Sequence, residues 1–277
     1  MIELRAGDAR CSISLSDGGR VAGLHVGAQQ LIVERLPHVH GQDDALEWGS
    51  YPMAPWAGRV RHGRFDFAGY TYSLPLNLAP HAIHGTVFAQ VWQAHDITPT
   101  SVRLSCDLGL HWPLGGTAHQ YIELRADRLI CGLAIVAADR AMPYVLGWHP
   151  WFVKPDVATI RFATMYHRDD EGIPTGALME PTAGPWDDCF TGPVDPIDLL
   201  YRNDTGGALA VTVLSDCTHW VVYDRPEHAI CIEPQSGPPD AFNMWPNSHD
   251  ANSLKPDTLG PHEGTRRAMI IRWQDQH

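Results

Sequence analysis

The stretch Val102-Arg103-Leu104-Ser105-Cys106-Asp107-Leu108 alternates apolar and polar positions with a period of two, and Tyr121-Ile122-Glu123-Leu124-Arg125 repeats the pattern. Such alternation puts successive side chains on opposite faces of a strand. Five further runs, at residues 129–136, 208–214, 220–223, 229–232 and 268–273, are rich in Val, Ile and aromatic residues. Gly, Asp, Asn or Pro bounds them, as strand ends require. Turn chemistry recurs at Asp17-Gly18-Gly19, Ala126-Asp127-Arg128 and Asn203-Asp204-Thr205-Gly206-Gly207. No segment carries a sustained three-to-four residue apolar period with caps, so helices are not expected. The pattern predicts an all-β chain, a large antiparallel β-sandwich of sheets packed face to face. With no internal repeat and no linker-like tract, residues 1–277 read as a single domain.

Three segments break the strand pattern. Residues 37–64, 169–196 and 236–262 are full of Pro, Gly, His and Trp and read as long structured loops. Aromatic-rich loops are costly to leave exposed, so these are expected to pack over a sheet and shape a site.

Composition narrows the function. Of 277 residues, 44% are hydrophobic, enough for a buried core, and the net charge is -12. That acidity argues against a nucleic-acid partner and against an anionic membrane surface, since both need a basic face. It does not exclude an anionic small substrate, because a few local Arg can override net charge. The longest uncharged apolar run, residues 129–138, is shorter than the roughly 20 residues a spanning helix needs, and the first residues form no apolar signal core. The six Cys show no paired spacing and alternate with apolar residues, so they read as reduced, packed thiols. A cytoplasmic enzyme or binder, monomeric or homodimeric, is the expectation.

Four segments combine ionisable groups with Gly or Pro and aromatics: Pro55-Trp56-Ala57-Gly58-Arg59-Val60, residues 77–85, Gly147-Trp148-His149-Pro150-Trp151-Phe152, and Ile232-Glu233-Pro234-Gln235 with the following Pro238-Pro239-Asp240-Ala241-Phe242-Asn243. Arg59, flanked by apolar residues, reads as a donor to a specific acceptor. His84 alone reads as a structural histidine. His149 precedes Pro150, which pushes it toward extended backbone, and sits among aromatics that would desolvate its ring. Glu233 follows the strand at 229–232 and would stand at its end, either idle or poised in a site. A metal reading competes, through His38-Val39-His40 and His81-Ala82-Ile83-His84 in a cupin-like barrel. Neither pair has helical HExxH spacing, and His38 and His40 fall in a polar stretch rather than a strand. No P-loop, GxSxG elbow or dinucleotide fingerprint is present.

Taken together these segments resemble the aldose 1-epimerase (galactose mutarotase) family. The family's series of Arg, Gly-x-Phe, Gly-x-x-Tyr-x-Leu, Asn and His-Gly appears as Arg59, Gly63-Arg64-Phe65, Gly69-Tyr70-Thr71-Tyr72-Ser73-Leu74, Asn77 and His84-Gly85. The second family histidine matches His149, the sugar-binding Asp matches Asp187 with Asp188 adjacent, and the catalytic Glu matches Glu233. The resemblance covers nearly the whole chain in the family's order and implies a large antiparallel β-sandwich. It implies interconversion of the α and β anomers of a free sugar without metal or organic cofactor. Glu233 would be the base at the anomeric hydroxyl, His149 the acid at the ring oxygen, and His84 a hydrogen-bonding partner near it. Arg59, Asp187 and Asn77 would bind the sugar, and Trp151 or Trp56 would offer its ring an apolar face. A hexose-6-phosphate epimerase and a non-catalytic sugar-binding protein on the same fold are the rival readings.

Overall fold

The computed structural model describes residues 1–35, 43–203, 206–244 and 256–276. Two large antiparallel sheets dominate. The first follows the order Ile2–Ala6, Ala9–Ser14, Arg20–Val26, Ser50–Met53, Gly147–Val153, Ala229–Gln235, His219–Tyr223, Asp187–Pro193, Phe162–Arg168 and Pro174–Met179, with Gln29–Gln30 beside Arg20–Val26. The second follows Gln93–His95, Ser101–Asp107, Thr117–Arg125, Arg128–Val136, Gly264–Gln276, Ala208–Ser215, Ile197–Arg202 and Val157–Thr159. One continuous cluster of buried apolar side chains draws on both, including Leu4, Ile13 and Leu24 from the first and Leu133, Ile135 and Ile271 from the second. This is the sandwich that the alternation predicts. The six cysteines are free and buried, as the sequence suggests for reduced, packed thiols.

The second sheet obeys the period of two closely. In Arg128–Val136 the side chains of Leu129, Cys131, Leu133 and Ile135 are buried, while those between them are half-buried or, at Val136, exposed. The middle of the first sheet does not alternate. Ser50–Met53 and Ala229–Gln235 are buried at every position, and Gly147–Val153 at all but its last. These strands are covered on both faces: the core lies on one side, and connecting segments close over the other.

Those connecting segments are the three stretches expected to be loops, and they contain more regular structure than that. Residues 37–64 include the strands Ser50–Met53 and Arg59–Val60, and residues 169–196 include Pro174–Met179 and Asp187–Pro193. Residues 236–262 hold the helical turn Ala241–Met244 and the strand Asp257–Leu259. Each element is short, and several are buried on both faces or interrupted by Pro and Gly, so no periodicity marks them.

Two arginines fix the walls of the covered face. Arg20, almost wholly buried, donates to the carbonyl oxygens of Asp17, Ala45, Trp48 and Phe88, tying two connecting segments to the sheet. Arg61 pairs with Asp169 and Glu171 and so pins the turn between Phe162–Arg168 and Pro174–Met179.

Candidate active site

Glu233 and His149 meet because two neighbouring strands are in register. Gly147–Val153 pairs with Ala229–Gln235 through Gly147↔Gln235 and Trp151↔Cys231, which sets His149 opposite Glu233. Between those pairs lie Pro150 and Pro234, which have no N–H to give to the ladder. The His149 Nε2 lies 3.1 Å from Glu233 Oε1, and both side chains are nearly inaccessible. Glu233 thus lies inside a strand rather than at its end. Extended backbone carries the pattern on through Pro234 to Gln235.

His84 reaches the same place from a different element. The short pair Arg59–Val60 with Ala82–Ile83 aligns Arg59 with Ile83, one residue before His84. The His84 backbone has φ 59°, an unusual left-handed conformation for a residue with a side chain. Gly85 follows at φ 80°, and a Cβ there would meet the Ala54 carbonyl oxygen at 2.0 Å. Only glycine fits, so His-Gly at this point is a steric requirement. The His84 ring stands edge-on to His149 with centroids 4.9 Å apart. The rings of Tyr51 and Trp151 both stack on His149, at 4.7 Å and 5.5 Å between centroids.

A cleft of about 280 Å³ opens over these groups, lined among others by Arg59, His84, His149, Trp151, Asp187 and Glu233. Six of the seven residues expected to form the site therefore converge. The seventh, Asn77, does not line this cleft: its amide donates to Ile83 O at 3.0 Å and accepts from Ile83 N at 2.8 Å, bracing the strand before His84. Asp187 and Asp188 are told apart by strand alternation. Asp187 lines the cleft with its Oδ2 3.5 Å from Arg168 Nη1, while Asp188, outside the cleft lining, takes the closer Arg168 Nε at 2.9 Å. Trp151 lines the cleft, its Nε1 held by Leu46 O at 2.7 Å. Trp56 instead lines a separate groove of about 590 Å³ that contains no carboxylate.

Four polar cleft residues were not singled out from sequence, Glu47, Tyr51, Tyr223 and Arg225, and Gln235 stood in the Glu233 segment without a role of its own. For Gln235 a signal existed, since it lies two residues from Glu233 and shares its strand face. Tyr51 and Tyr223 are set by cross-strand register, and Glu47 and Arg225 by the connections that flank those strands, neither of which single-strand patterns contain.

The electrostatics follow from burial. Desolvation, joined by the Asp187 carboxylate, holds the Glu233 pKa well above the usual range, against lowering by Gln235 and Arg59. Burial pushes His149 down to about 3. His84 is also held well below its usual value, by burial and then by His149 and Arg59. A raised carboxyl and a lowered imidazole in contact make a pair that carries a single titrating proton over a wide range of pH. The Arg59 guanidinium is half-buried and forms no hydrogen bond or ion pair among the described residues, so its donors are available to a ligand.

His84, His149 and Glu233 are also the one set among the described residues whose donor atoms, within 4.8 Å of one another, come close enough to share a cation. His149 and Glu233 stand 3.1 Å apart at ion-pair distance, and we read the trio as acid–base groups. His38 and His40, the other half of the cupin-like reading, lie outside the described residues. No helix among the described residues is long and apolar enough to cross a membrane.

Comparison with known proteins bears on the family and the fold. A family model described as aldose 1-epimerase matches residues 1–259. The uncharacterized protein YihR of Escherichia coli (strain K12) is 25% identical over 93% of this chain and 91% of its own length. Among solved structures, a galactose mutarotase-like protein from Clostridium acetobutylicum superposes with a TM-score of 0.81 at 17% identity, covering 99% of this chain and 94% of that one. A GalM/aldose epimerase homologue from C. elegans gives 0.79 at 17% identity, covering 100% and 99%.

Proposed function

We propose that this chain, which belongs to the aldose 1-epimerase family, interconverts the α and β anomers of a free, uncharged aldose by general acid–base catalysis. The observation that carries the proposal is the 3.1 Å contact between His149 Nε2 and Glu233 Oε1 on the cleft floor. Ring opening needs a base at the anomeric hydroxyl and an acid at the ring oxygen. Those two oxygens share one carbon, so the catalytic groups must also lie side by side.

The proton count fits. A neutral pair (protonated Glu233, neutral His149) and an ion pair (carboxylate, imidazolium) hold the same number of protons. The ion-pair form has the base and the acid that the step requires. Glu233 takes the anomeric hydroxyl proton, the bond from C1 to the ring oxygen breaks, and His149 protonates that oxygen to leave the open-chain aldehyde. After rotation about C1–C2, Glu233 returns its proton to the carbonyl oxygen while the ring hydroxyl closes on C1 and gives its proton to His149. The pair is restored and the anomer is inverted. His84, neutral at physiological pH, hydrogen-bonds near the ring oxygen. Arg59 and Asp187 fix sugar hydroxyls through charge-assisted bonds, and the Trp151 ring bounds the cleft with an apolar face. Asn77 acts by holding Ile83, and through it His84.

The charge balance of the cleft favours an uncharged sugar: Arg59 and Arg225 are offset by Glu47 and Asp187. Polarimetry of freshly dissolved α-glucose and α-galactose tests the proposal, with glucose 6-phosphate in parallel. Acceleration of the free sugars over buffer is expected, unaffected by a chelator. No acceleration of any sugar would overturn the activity, preference for the phosphate ester would overturn the substrate class, and loss of rate on chelation would overturn the metal-free mechanism.

A further inference from the structure

We propose that Gln235 is a positioning residue for the reaction, whose side-chain amide orients the Glu233 carboxylate and supports it in both of its protonation states. The inference rests on the reading of Glu233 as the base. Gln235 is fully buried and shares a strand face with Glu233. Its Nε2 donates to Glu233 Oε2 at 3.1 Å, while the other carboxylate oxygen, Oε1, faces His149. Each oxygen thus has its own partner, and the carboxylate is not free to turn. Space for the amide is made by its cross-strand neighbour: a Cβ on Gly147 would come within 3.2 Å of Gln235 Cγ and 2.6 Å of Pro234 O.

The other end of the amide is the informative one. Gln235 Oε1 is buried and has no hydrogen-bond partner. Glutamines held for structure satisfy both ends, and an unmatched acceptor beside an active carboxylate asks for a reason. During turnover Glu233 becomes an acid with an O–H to donate. An amide serves both states: Nε2 donates to the carboxylate, and after a half-turn of the terminal torsion Oε1 accepts from the acid. A cationic residue here would lock the ionised form, and an aliphatic one would support neither. The other charged or titratable groups around Glu233 and Gln235 are His149 on one flanking strand, His219 and Tyr223 on the other, and Asp187, Cys189 and Tyr51 on the strands beyond. Arg59 and His84 face Glu233 from the covering segment, Arg225 and Glu47 line the cleft above it, and Cys231 shares its strand.

Gln235→Met keeps the length and removes both hydrogen-bonding ends. Of the two states, the amide as it stands favours the ionised carboxylate, to which Nε2 donates, so its loss moves the alkaline limb of the pH–rate profile to higher pH. We expect kcat to fall on the order of 10-fold or more, the scale of one hydrogen bond to a charged group, with KM little changed because Gln235, fully buried, acts through Glu233. Gln235→Asn, one methylene shorter, should shift the limb in the same direction, and it decides the matter if Gln235→Met does not fold. In a Glu233→Gln background the Gln235 substitutions should have no further effect. An unmoved limb with near-native kcat, or a loss confined to KM, would overturn the inference. If Glu233→Gln alone keeps the native rate, the acid–base reading fails instead, and the two failures are distinguishable.

Discussion

The eight-stranded sheet and the centre of the larger sheet are built from the same kind of strand, yet they spend their buried positions differently. In Arg128–Val136 the inward positions are Leu129, Cys131, Leu133 and Ile135, all apolar. In Ala229–Gln235 the buried positions include Glu233 and Gln235, and in Gly147–Val153 they include His149. Burying a carboxyl and an imidazole is unfavourable unless they are paired. The first region is selected for packing. The second gives up packing for a desolvated proton-transfer pair whose pKa values burial drives apart. Removing an inward group should therefore cost the first region stability and the second region rate.

The largest expected effect is on rate. His149→Asn keeps a hydrogen-bond donor but cannot take up a proton, so mutarotation should fall by about 10²–10⁴-fold, the usual range for a general acid. Polarimetry on the folded variant checks this, and a loss smaller than 10-fold would blur the contrast between the regions. Next is a stability effect. Leu133→Ala empties a fully buried position in the smaller sheet and should cost about 2–5 kcal/mol by urea unfolding, with the rate per folded molecule near native. The smallest effect is a change of shape rather than size. The pair gains its second proton only as pH falls toward the His149 value of about 3, which removes the base. It loses its shared proton only above the raised pKa of Glu233, which removes the acid. The pH–rate profile should therefore be a broad plateau that holds well below pH 6, and a fall centred near 6.5 would mean that His149 titrates as an exposed histidine.

The same contrast explains what was legible in the sequence. Strands of the smaller sheet are half-alternating, so residues 129–136 and 208–214 announced themselves to within a residue of Arg128–Val136 and Ala208–Ser215. Ser50–Met53 was hidden inside an expected loop because it is buried at every position and shows no period. Arg59, His84, His149, Asp187 and Glu233 were legible through ordered local motifs, and the structure brings all five to one cleft. Asn77 belonged to the same motif series but serves the Ile83 backbone, a distinction that depends on side-chain direction rather than residue type. Tyr51 and Tyr223 owe their places to cross-strand register, which arises only once the sheet is assembled.

The most direct test of this division is Glu233→Gln, measured for rate and for thermal unfolding on the same preparation. The substitution keeps the shape of the side chain and leaves His149, which burial already keeps neutral, without an unpaired charge beside it. The account predicts a Tm unchanged or raised, together with a fall in mutarotation of about 10²–10⁴-fold. A near-native rate with a Tm lowered by several degrees would contradict it, because Glu233 would then be serving the fold rather than the chemistry.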